Sequence, residues 1–385
     1  MARSDPTDRR DPCTESRSTA RCVARFGACA GLGPGIFEVD AGGTANLARD
    51  RAEAGRGGQR PVLVAPDSFK GTFSAVDVAA ALAAGIRDTR REAVELPLAD
   101  GGEGTMEVLA AALGAEIRTE RVHDPLGRPI TASFAVLEGG ESAIVEMAQA
   151  SGLACVAPEE RDAWTASTYG TGELVAAAAR AGARKVLVTV GGSATTDGGA
   201  GALAALDAVG IEVELEVVCD VRTVWELAPS TYGPQKGADP RTVRRLERRL
   251  DELAARAPRD PRGVPLTGAA GGLSGGLWAF RGAKLVPGAA SVLDLLHFDG
   301  RASGAALVVT GEGRLDEQTL EGKVVAEVAA RCRSLGVPCH AVVGELALGR
   351  EALDHLGLSG VREATTLPEL REACARLARA AALPR

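Results

Sequence analysis

Aromatic side chains are scarce in this sequence, at 3% of 385 residues, so platforms on which single-stranded nucleic acid bases stack are few. The formal net charge is -7, which leaves no excess of basic groups to neutralise a phosphate backbone or an anionic membrane. No apolar run approaches the ~18 residues that a membrane-spanning helix needs. We therefore expect neither a nucleic acid nor a membrane as a partner.

Metal-ligand spacing of cysteine and histidine is also lacking. The eight cysteines form no CxxC pair, and His123, His297, His340 and His355 are scattered along the chain. A structural zinc site is therefore not expected. No convincing signal peptide precedes the first apolar segments, so the sequence favours a cytoplasmic protein with reduced thiols.

Glycine, in contrast, is abundant at 48 residues, and an apolar share of 45% with 25% charged residues is typical of a globular protein. The length predicts two domains. Residues 1–60 are rich in Arg, Asp, Ser and Gly and lack the periodicity of a strand or a helix. We interpret them as a disordered N-terminal extension.

From residue 61 onwards, short apolar runs alternate with loops and helical patterns. The run 61–65 precedes a loop and a helix that Ser74 caps, and the run 93–98 begins a second unit of this kind. Residues 115–148 instead indicate hairpins of a mixed sheet. The predicted fold class is α/β with two domains: a Rossmann-like, parallel, three-layer domain of residues 61–112 and 285–385, and an inserted mixed-sheet α/β domain of residues 113–284.

The most informative segment is the glycine-rich loop at residues 191–199, which follows a strand-like run and precedes an alanine-rich helix. Backbone N–H groups at a helix N-terminus favour phosphate or carboxylate. Ser193, Thr195 and Thr196 add hydroxyl donors, and Asp197 in the same loop is a suitable ligand for Mg²⁺. A plainer alternative is that the glycines only relieve crowding where a helix meets a sheet.

Other loops share this position after a strand, at residues 67–71, 100–105 and 311–316. The carboxyl ends of strands in α/β sheets are where ligands bind. Taken singly, their acidic residues are typical of solvated turns, but acids are costly to bury unpaired, so convergence predicts a charged, metal-using cleft. The residues expected to meet there are Asp100, Glu103, Asp220, Glu312, Asp316, Lys70, Lys236 and Arg314.

Known fingerprints do not account for these loops. Gly322-Lys323 lacks the upstream glycine and the following hydroxyl of a Walker A loop. The G-x-G at residues 170–172 lacks the third glycine of a dinucleotide-binding loop, which leaves a nicotinamide-dependent oxidoreductase only as a minor alternative. The G-x-S-x-G at residues 272–276 follows other glycines rather than a strand, so a hydrolase elbow is not expected.

Taken in order, the motifs from residue 61 nearly to the C-terminus resemble the type 1 glycerate kinase family. They are APDSFKGTFSA (65–75), LPLADGGEGT (96–105), HDPLGRPI (123–130), STYGTGEL (167–174), VGGSATTDGGAG (190–201), CDV (219–221), YGPQKGA (232–238), GAAGGLSGGL (268–277) and TGEGRLDEQTLEGK (310–323). The resemblance implies an ATP- and Mg²⁺-dependent kinase acting on D-glycerate, with 2-phosphoglycerate favoured as the product. It also implies a cleft between two α/β domains, and it leaves a homo-oligomer open.

Phosphoryl transfer needs cations at the γ-phosphate and a carboxylate that orients the attacking hydroxyl, which suggests roles in the implied kinase. Either Asp197 or Asp100 is expected to be the base or a metal ligand. Lys70 is expected to contact the transferring phosphate, and Arg314 to bind the glycerate carboxylate with its planar guanidinium. The expected nucleotide-binding residues are Gly191, Gly192, Ser193, Thr195, Thr196, Gly271 and Gly272, and the expected metal ligands are Asp197, Asp220, Glu312 and Asp316.

Two regions depart from the family pattern. Between Leu206 and Glu212 the chain looks shorter than its relatives by roughly a helix and a strand. Residues 222–230 also differ from the sequence expected after the Cys-Asp-Val motif. The shorter segment leaves open a second interpretation, in which a catalytically impaired relative binds glycerate or a nucleotide without turnover.

Overall fold

The structure of the chain, a computed structural model, describes residues 60–381. The extension predicted for residues 1–60 lies outside the described residues, apart from Arg60. The predicted fold class is confirmed, since a five-stranded parallel sheet and a six-stranded mixed sheet both pack against helices. Among residues 60–381, no helix has the length and apolar character that crossing a membrane requires.

The strands fall into two sheets. They are β1 (Val62–Val64), β2 (Ala93–Glu95), β3 (Glu116–His123), β4 (Pro129–Val136), β5 (Ser142–Glu146), β6 (Lys185–Thr189), β7 (Glu214–Cys219), β8 (Lys284–Pro287), β9 (Leu307–Leu315), β10 (Cys339–Leu346) and β11 (Gly360–Glu363). The first sheet has the order β11-β10-β9-β1-β2 and is parallel throughout. The second runs from β3 to β8 in chain order, with antiparallel pairing at β3-β4 and β4-β5 and parallel pairing from β5 onwards.

Helices connect most of the parallel strands, as crossover connections require. They are α1 (Ala75–Arg87), α2 (Thr105–Leu113), α3 (Ala148–Ser151), α4 (Tyr169–Arg180), α5 (Ala200–Val209), α6 (Ala228–Tyr232), α7 (Pro240–Ala254), α8 (Leu273–Arg281), α9 (Gly288–Leu295), α10 (Phe298–Ser303), α11 (Val324–Leu335), α12 (Arg350–Leu356) and α13 (Leu367–Ala381). The predicted cap of α1 is confirmed, because the Ser74 hydroxyl accepts a hydrogen bond from the Asp77 amide at 3.1 Å.

Strand β1 shows why the first sheet forms the middle of three layers. Val62 and Val64 face one side and share a core with Leu82 of α1 and Leu370 of α13. Leu63 faces the other side and belongs to a cluster that contains residues of α11. A strand that is covered on both faces is apolar at every position, which accounts for the unbroken run that begins the sequence motifs.

The apolar cluster around Leu63 also joins the two sheets. It contains Ile144 of β5, Leu187 of β6 and Val218 of β7, together with Phe298 of α10. Helices α2, α9 and α10 contribute residues to the same cluster. The division into domains at residues 112/113 and 284/285 stays a prediction, and strand β8 crosses the second of these boundaries.

Two elements differ from the sequence prediction. Strand β9 continues through Gly311 to Leu315, so this segment is not a loop, because β10 pairs with it beyond the end of β1. Helix α4 begins at Tyr169 rather than at Glu173. The Gly170 of its first turn packs directly on backbone, since a Cβ there would lie 1.9 Å from the carbonyl oxygen of His123.

Candidate active site

The carboxyl edge of the first sheet holds the first group of site residues. Strand order reverses beside β1, with β2 on one side and β9 on the other, and ligands of open α/β sheets bind at such a switch point. Asp67 follows β1, Asp100 lies in the loop after β2, and Glu312 lies in the last part of β9. The topology therefore brings three acids from distant parts of the sequence to one edge.

A lysine pairs with one of these acids. The Lys70 ammonium donates to Asp100 Oδ2 at 3.0 Å, and Asp100 Oδ1 accepts from the Gly102 amide at 2.9 Å. The Lys70 side chain is 59% exposed, so it is available to a ligand, whereas Asp100 is buried. Desolvation lowers the pKa of Lys70, but the attraction of Asp100 and Asp67 outweighs it and holds that pKa above its ordinary value.

The neighbouring acids are held away from water. Burial raises the pKa of Asp67 well above its ordinary range, and repulsion by Asp100 adds to the effect. Burial likewise raises the pKa of Glu312 to about 7, although the Thr319 hydroxyl donates to its Oε1 at 2.7 Å and opposes the shift. A bound cation at this edge would relieve both the repulsion and the lost hydration.

Arg314 and Asp316 lie farther out on the same edge. The Arg314 guanidinium is 59% exposed and lies 3.5 Å from Asp316 and 3.6 Å from Glu345. Asp316 also caps the short turn Glu317–Glu321 by accepting from the Gln318 amide. With Asp67, Lys70 and Glu312, these side chains line a cavity of about 360 Å³.

The glycine-rich loop reaches this edge from the second sheet, where it follows β6. A Cβ on Gly191 would lie 2.4 Å from the Cα of Gly102 and 3.0 Å from Asp220 Oδ2, so only glycine permits this approach. Gly192 lies beside Glu103, whose Oε2 would be 3.3 Å from its Cβ. The predicted convergence of the loops at residues 100–105, 191–197 and 220 is therefore present in the structure.

Both oxygens of the Asp197 carboxylate accept hydrogen bonds from the surrounding chain. Its Oδ2 accepts from the amide and hydroxyl of Thr168, at 2.9 and 2.8 Å, and from the Gly201 amide at 3.1 Å. Its Oδ1 accepts from the Gly199 amide at 3.0 Å. The base and metal-ligand roles stay predictions, but these bonds favour a role in fixing the loop to the first turns of α4 and α5.

Two hydroxyls of the loop have no partner within the described chain. Thr195 and Thr196 are buried, and no hydrogen bond satisfies either Oγ1 among residues 60–381. The segment of Gly271 packs against them, since a Cβ on Gly271 would lie 2.1 Å from the Thr195 carbonyl oxygen. Gly271 also has φ +65°, and its carbonyl accepts from the Gly198 amide at 3.1 Å. Buried polar groups without partners are rare in proteins, so a water or a polar ligand is expected to supply these two hydrogen bonds.

Lys236 and Asp220 complete the centre of the site. Lys236 is 2% exposed, and its ammonium donates to Ser193 Oγ at 2.8 Å and to the Thr195 carbonyl at 2.6 Å. Burial lowers the pKa of Lys236 to about 7, against the attraction of Asp197 and Asp220. Burial, with repulsion by Asp100, raises the pKa of Asp220 to about 7.

Sequence reasoning missed two residues that shape these loops. Glu146 ends β5 and accepts from the amides of Gly104 and Met106 at 3.0 Å, which caps α2 and fixes the loop before it. Thr168 binds Asp197 and also accepts from the Ala202 amide at 3.0 Å. A carboxylate at the end of a buried strand was a usable signal for Glu146. Thr168 lies within the motif at residues 167–174, but that motif did not indicate its contact with Asp197.

The predicted metal ligands Asp197, Asp220, Glu312 and Asp316 do not form a ready ligand set. Within the described part of the chain, no group of at least three His, Cys, Asp or Glu side chains is placed to hold a metal ion. The metal assignment therefore stays a prediction.

A larger cavity of about 1290 Å³ lies elsewhere, at the opposite edge of the second sheet. It is lined by the first residues of β7 and β8, Glu214 and Lys284, and by the segment from Leu206 to Val213. That segment is the one that looked shorter in the sequence. Because the site residues follow the carboxyl ends of the strands, the shortening lies away from them.

Comparison with known proteins identifies the family of this chain. The sequence model of the Glycerate kinase family matches residues 62–212 and 207–382. A glycerate kinase from Halalkalibacterium halodurans is 38% identical over 336 residues, covering 77% of this chain and 88% of the relative. The glycerate 2-kinase of Escherichia coli K12 is 36% identical, covering 74% and 85%. A crystal structure assigned to glycerate kinase 2 of Salmonella typhimurium LT2 superposes with a TM-score of 0.71 at 34% identity, covering 84% of this chain and 98% of that one.

Proposed function

This chain belongs to the glycerate kinase family, and on that premise we propose that it transfers the γ-phosphoryl group of ATP to a hydroxyl of D-glycerate, giving 2-phosphoglycerate. The observation that carries the proposal is the meeting of Gly102 and Gly191. Their contact places the acidic edge with Lys70 beside the glycine-rich loop with its unpaired hydroxyls. The edge with Lys70 suits a small charged acceptor, and the glycine-rich loop suits phosphate oxygens.

The loop fits a nucleotide phosphate by its chemistry. Thr195 and Thr196 present buried hydroxyls without partners. Backbone packs so closely against Gly191 and Gly271 that neither position has room for a side chain. Hydroxyl and amide donors are the groups that bind phosphate oxygens. We therefore assign the phosphates of ATP to this loop.

The acidic edge fits Mg²⁺, which binds through one or two carboxylates together with substrate phosphates and water. Asp67, Asp220 and Glu312 all have raised pKa values because they are buried near other acids. A divalent cation would favour their charged forms. When bound, Mg²⁺ supplies neutralisation of the phosphate charge.

The side chains that we assign to the transfer are Lys70, Asp100 and Arg314. Asp100 lies at the junction of the two sheets, and we propose that it accepts the proton of the attacking hydroxyl. Lys70, exposed and already held by Asp100, neutralises the transferring group. Arg314 orients glycerate by binding its carboxylate. Asp197 holds the phosphate loop in place rather than exchanging protons.

The alternative of a catalytically impaired binding protein rested on the short segment near residues 206–212. The family model matches the chain as two segments, residues 62–212 and 207–382, which overlap at residues 207–212. The position of the short segment at the amino edge of the second sheet favours an active enzyme, since it carries none of the assigned side chains. The nicotinamide alternative loses support, because Gly170–Gly172 lies inside helix α4.

Phosphorus NMR of the product tests the proposal directly. The protein is incubated with D-glycerate, ATP and Mg²⁺, and the product resonance is compared with authentic 2- and 3-phosphoglycerate. We expect the 2-phosphoglycerate signal, its dependence on glycerate, and its loss in Asp100→Asn. Binding of glycerate and ATP without any new phosphomonoester would instead support the impaired relative, and a 3-phosphoglycerate signal would correct the position.

A further inference from the structure

Lys236 is a buried cation that the transfer described above does not use. It ends the turn Pro234–Lys236, and the next residue, Gly237, packs on backbone, since a Cβ there would lie 2.4 Å from the Arg161 carbonyl oxygen. The lysine side chain passes inward and is 2% exposed. The rigid turn therefore fixes where the ammonium meets the glycine-rich loop.

The ammonium of Lys236 has no ion-pair partner among residues 60–381. It donates to two neutral oxygens, Ser193 Oγ and the Thr195 carbonyl, and it has three N–H donors in all. The acids that act on it from farther away are Asp197 and Asp220, and the first of these is saturated by its own hydrogen bonds. A buried charge without a close counter-ion is costly, so its presence beside a phosphate loop points to an incoming anion.

The Lys236 contact also dictates how Ser193 is used. In its ammonium form Lys236 has no acceptor, so Ser193 Oγ accepts from it, and the serine proton is available to another acceptor. No acceptor for that proton is found among the described residues. A hydroxyl that accepts from a cation is polarised and becomes a stronger donor.

We propose that Lys236 is a positioning residue that fixes and polarises the Ser193 hydroxyl, so that this hydroxyl donates to the terminal phosphates of the bound nucleotide. The inference rests on the proposed function for the identity of the ligand, ATP. The unpaired hydroxyls of Thr195 and Thr196 on the same loop are the independent observation that an anion with several acceptor oxygens belongs there. Once this anion is bound, its negative charge raises the pKa of Lys236 and so favours the ammonium form.

A double-mutant cycle separates this role from a purely structural one. Lys236→Met, Ser193→Ala and the double variant are compared with the wild type by calorimetric titration with tripolyphosphate and with AMP. Lys284→Met, at the opposite edge of the second sheet, is the matched control. The binding readout does not require glycerate or turnover, so it remains valid if the wild type fails to make phosphoglycerate.

We expect each single variant to weaken tripolyphosphate binding about 10-fold or more, as for the loss of a charge-assisted hydrogen bond, and to change AMP binding less than about 2-fold. The double variant should bind no more than about 3-fold more weakly than the weaker single variant, since both changes remove one interaction. With glycerate and ATP, kcat should fall about 10²-fold or more, while KM for glycerate changes little.

Independent losses that multiply in the double variant would overturn the coupling between Lys236 and Ser193. Equal losses for AMP and tripolyphosphate would overturn the assignment to terminal phosphates. Melting curves show whether Lys236→Met folds. If it does not fold, Ser193→Ala alone tests the proposal, and an unchanged affinity of that variant for tripolyphosphate refutes it.

Discussion

The carboxylates Asp197 and Asp100 give the sharpest test of how the site is divided, because the same substitution should have opposite effects at the two positions. In Asp197→Asn, an amide nitrogen must face at least one of the amide donors that the carboxylate now accepts from, Thr168, Gly199 or Gly201. Hydrogen bonds to a charged acceptor contribute about 1.5–3 kcal/mol each, so reversing one and weakening the others should cost about 3 kcal/mol of unfolding free energy.

That loss of stability should be visible in melting curves. Unfolding entropy scales with chain length, so for a chain of this size about 3 kcal/mol corresponds to a fall of roughly 4–5 °C in Tm. We expect kcat of Asp197→Asn to fall about 10-fold through the displaced loop, with an unchanged shape of the pH–rate profile. Glu252→Gln, an exposed carboxylate on α7, is the control and should leave Tm and kcat unchanged.

Asp100→Asn should behave in the reverse way. Its Oδ1 still accepts from Gly102, and the lost ion pair with the exposed Lys70 contributes at most about 1 kcal/mol. Removal of a proton acceptor should lower kcat by about 10²–10⁴. If Asp197→Asn melts with the wild type yet loses this much activity, while Asp100→Asn stays active, the division of roles is refuted and Asp197 is the base.

Three further outcomes are expected from the same geometry. Burial raises the pKa of Glu312 to about 7 from an ordinary value of 4.5, so the folded state holds this proton more tightly and the contribution of Glu312 to stability declines as pH rises between those values. Glu312→Gln should therefore match the wild type at pH about 4 and be more stable by up to about 3 kcal/mol at pH about 8, and an equal difference at both pH values would contradict this. Lys70→Met should lower kcat/KM by about 10²-fold or more with Tm within about 2 °C, because Lys70 is 59% exposed, so solvent screens its pair with Asp100, and Gly102 still donates to Asp100. Assays and melting curves of one preparation check both, and a large fall in Tm would count against this. Gly191→Ala should abolish activity, because the new Cβ would be forced against Gly102. Gly300→Ala, which has open space around it, should remain fully active. An active Gly191→Ala enzyme would show that the two loops need not touch.

Much of the parallel sheet could be predicted from local pattern. Residues 61–65 and 93–98 are apolar runs bounded by turn residues, and both contain the strands that were expected. The end of β9 could not be predicted, because glycines such as Gly311 and Gly313 are typical of loops. This segment is a strand only because it pairs with β10. Such pairing is a tertiary effect that overrides local propensity.

The site shows the same limit at the level of atoms. Motif order indicated that Asp100, Asp197 and Lys236 would meet, and the structure brings their loops together. From the sequence alone, Asp197 was expected to be the base or a metal ligand, because an acid in a glycine-rich loop is a suitable ligand for Mg²⁺. Its hydrogen bonds from Thr168 depend on the start of α4, which lies 29 residues earlier in the chain, and the motif at residues 167–174 does not show that Thr168 donates to Asp197.

The bare backbone contact between Gly102 and Gly191 bears on how such an enzyme tolerates change. Where side chains separate two sheets, every replacement resets the spacing between them. Here main chain rests on main chain, so the approach of the two loops does not depend on the size of a side chain at either position.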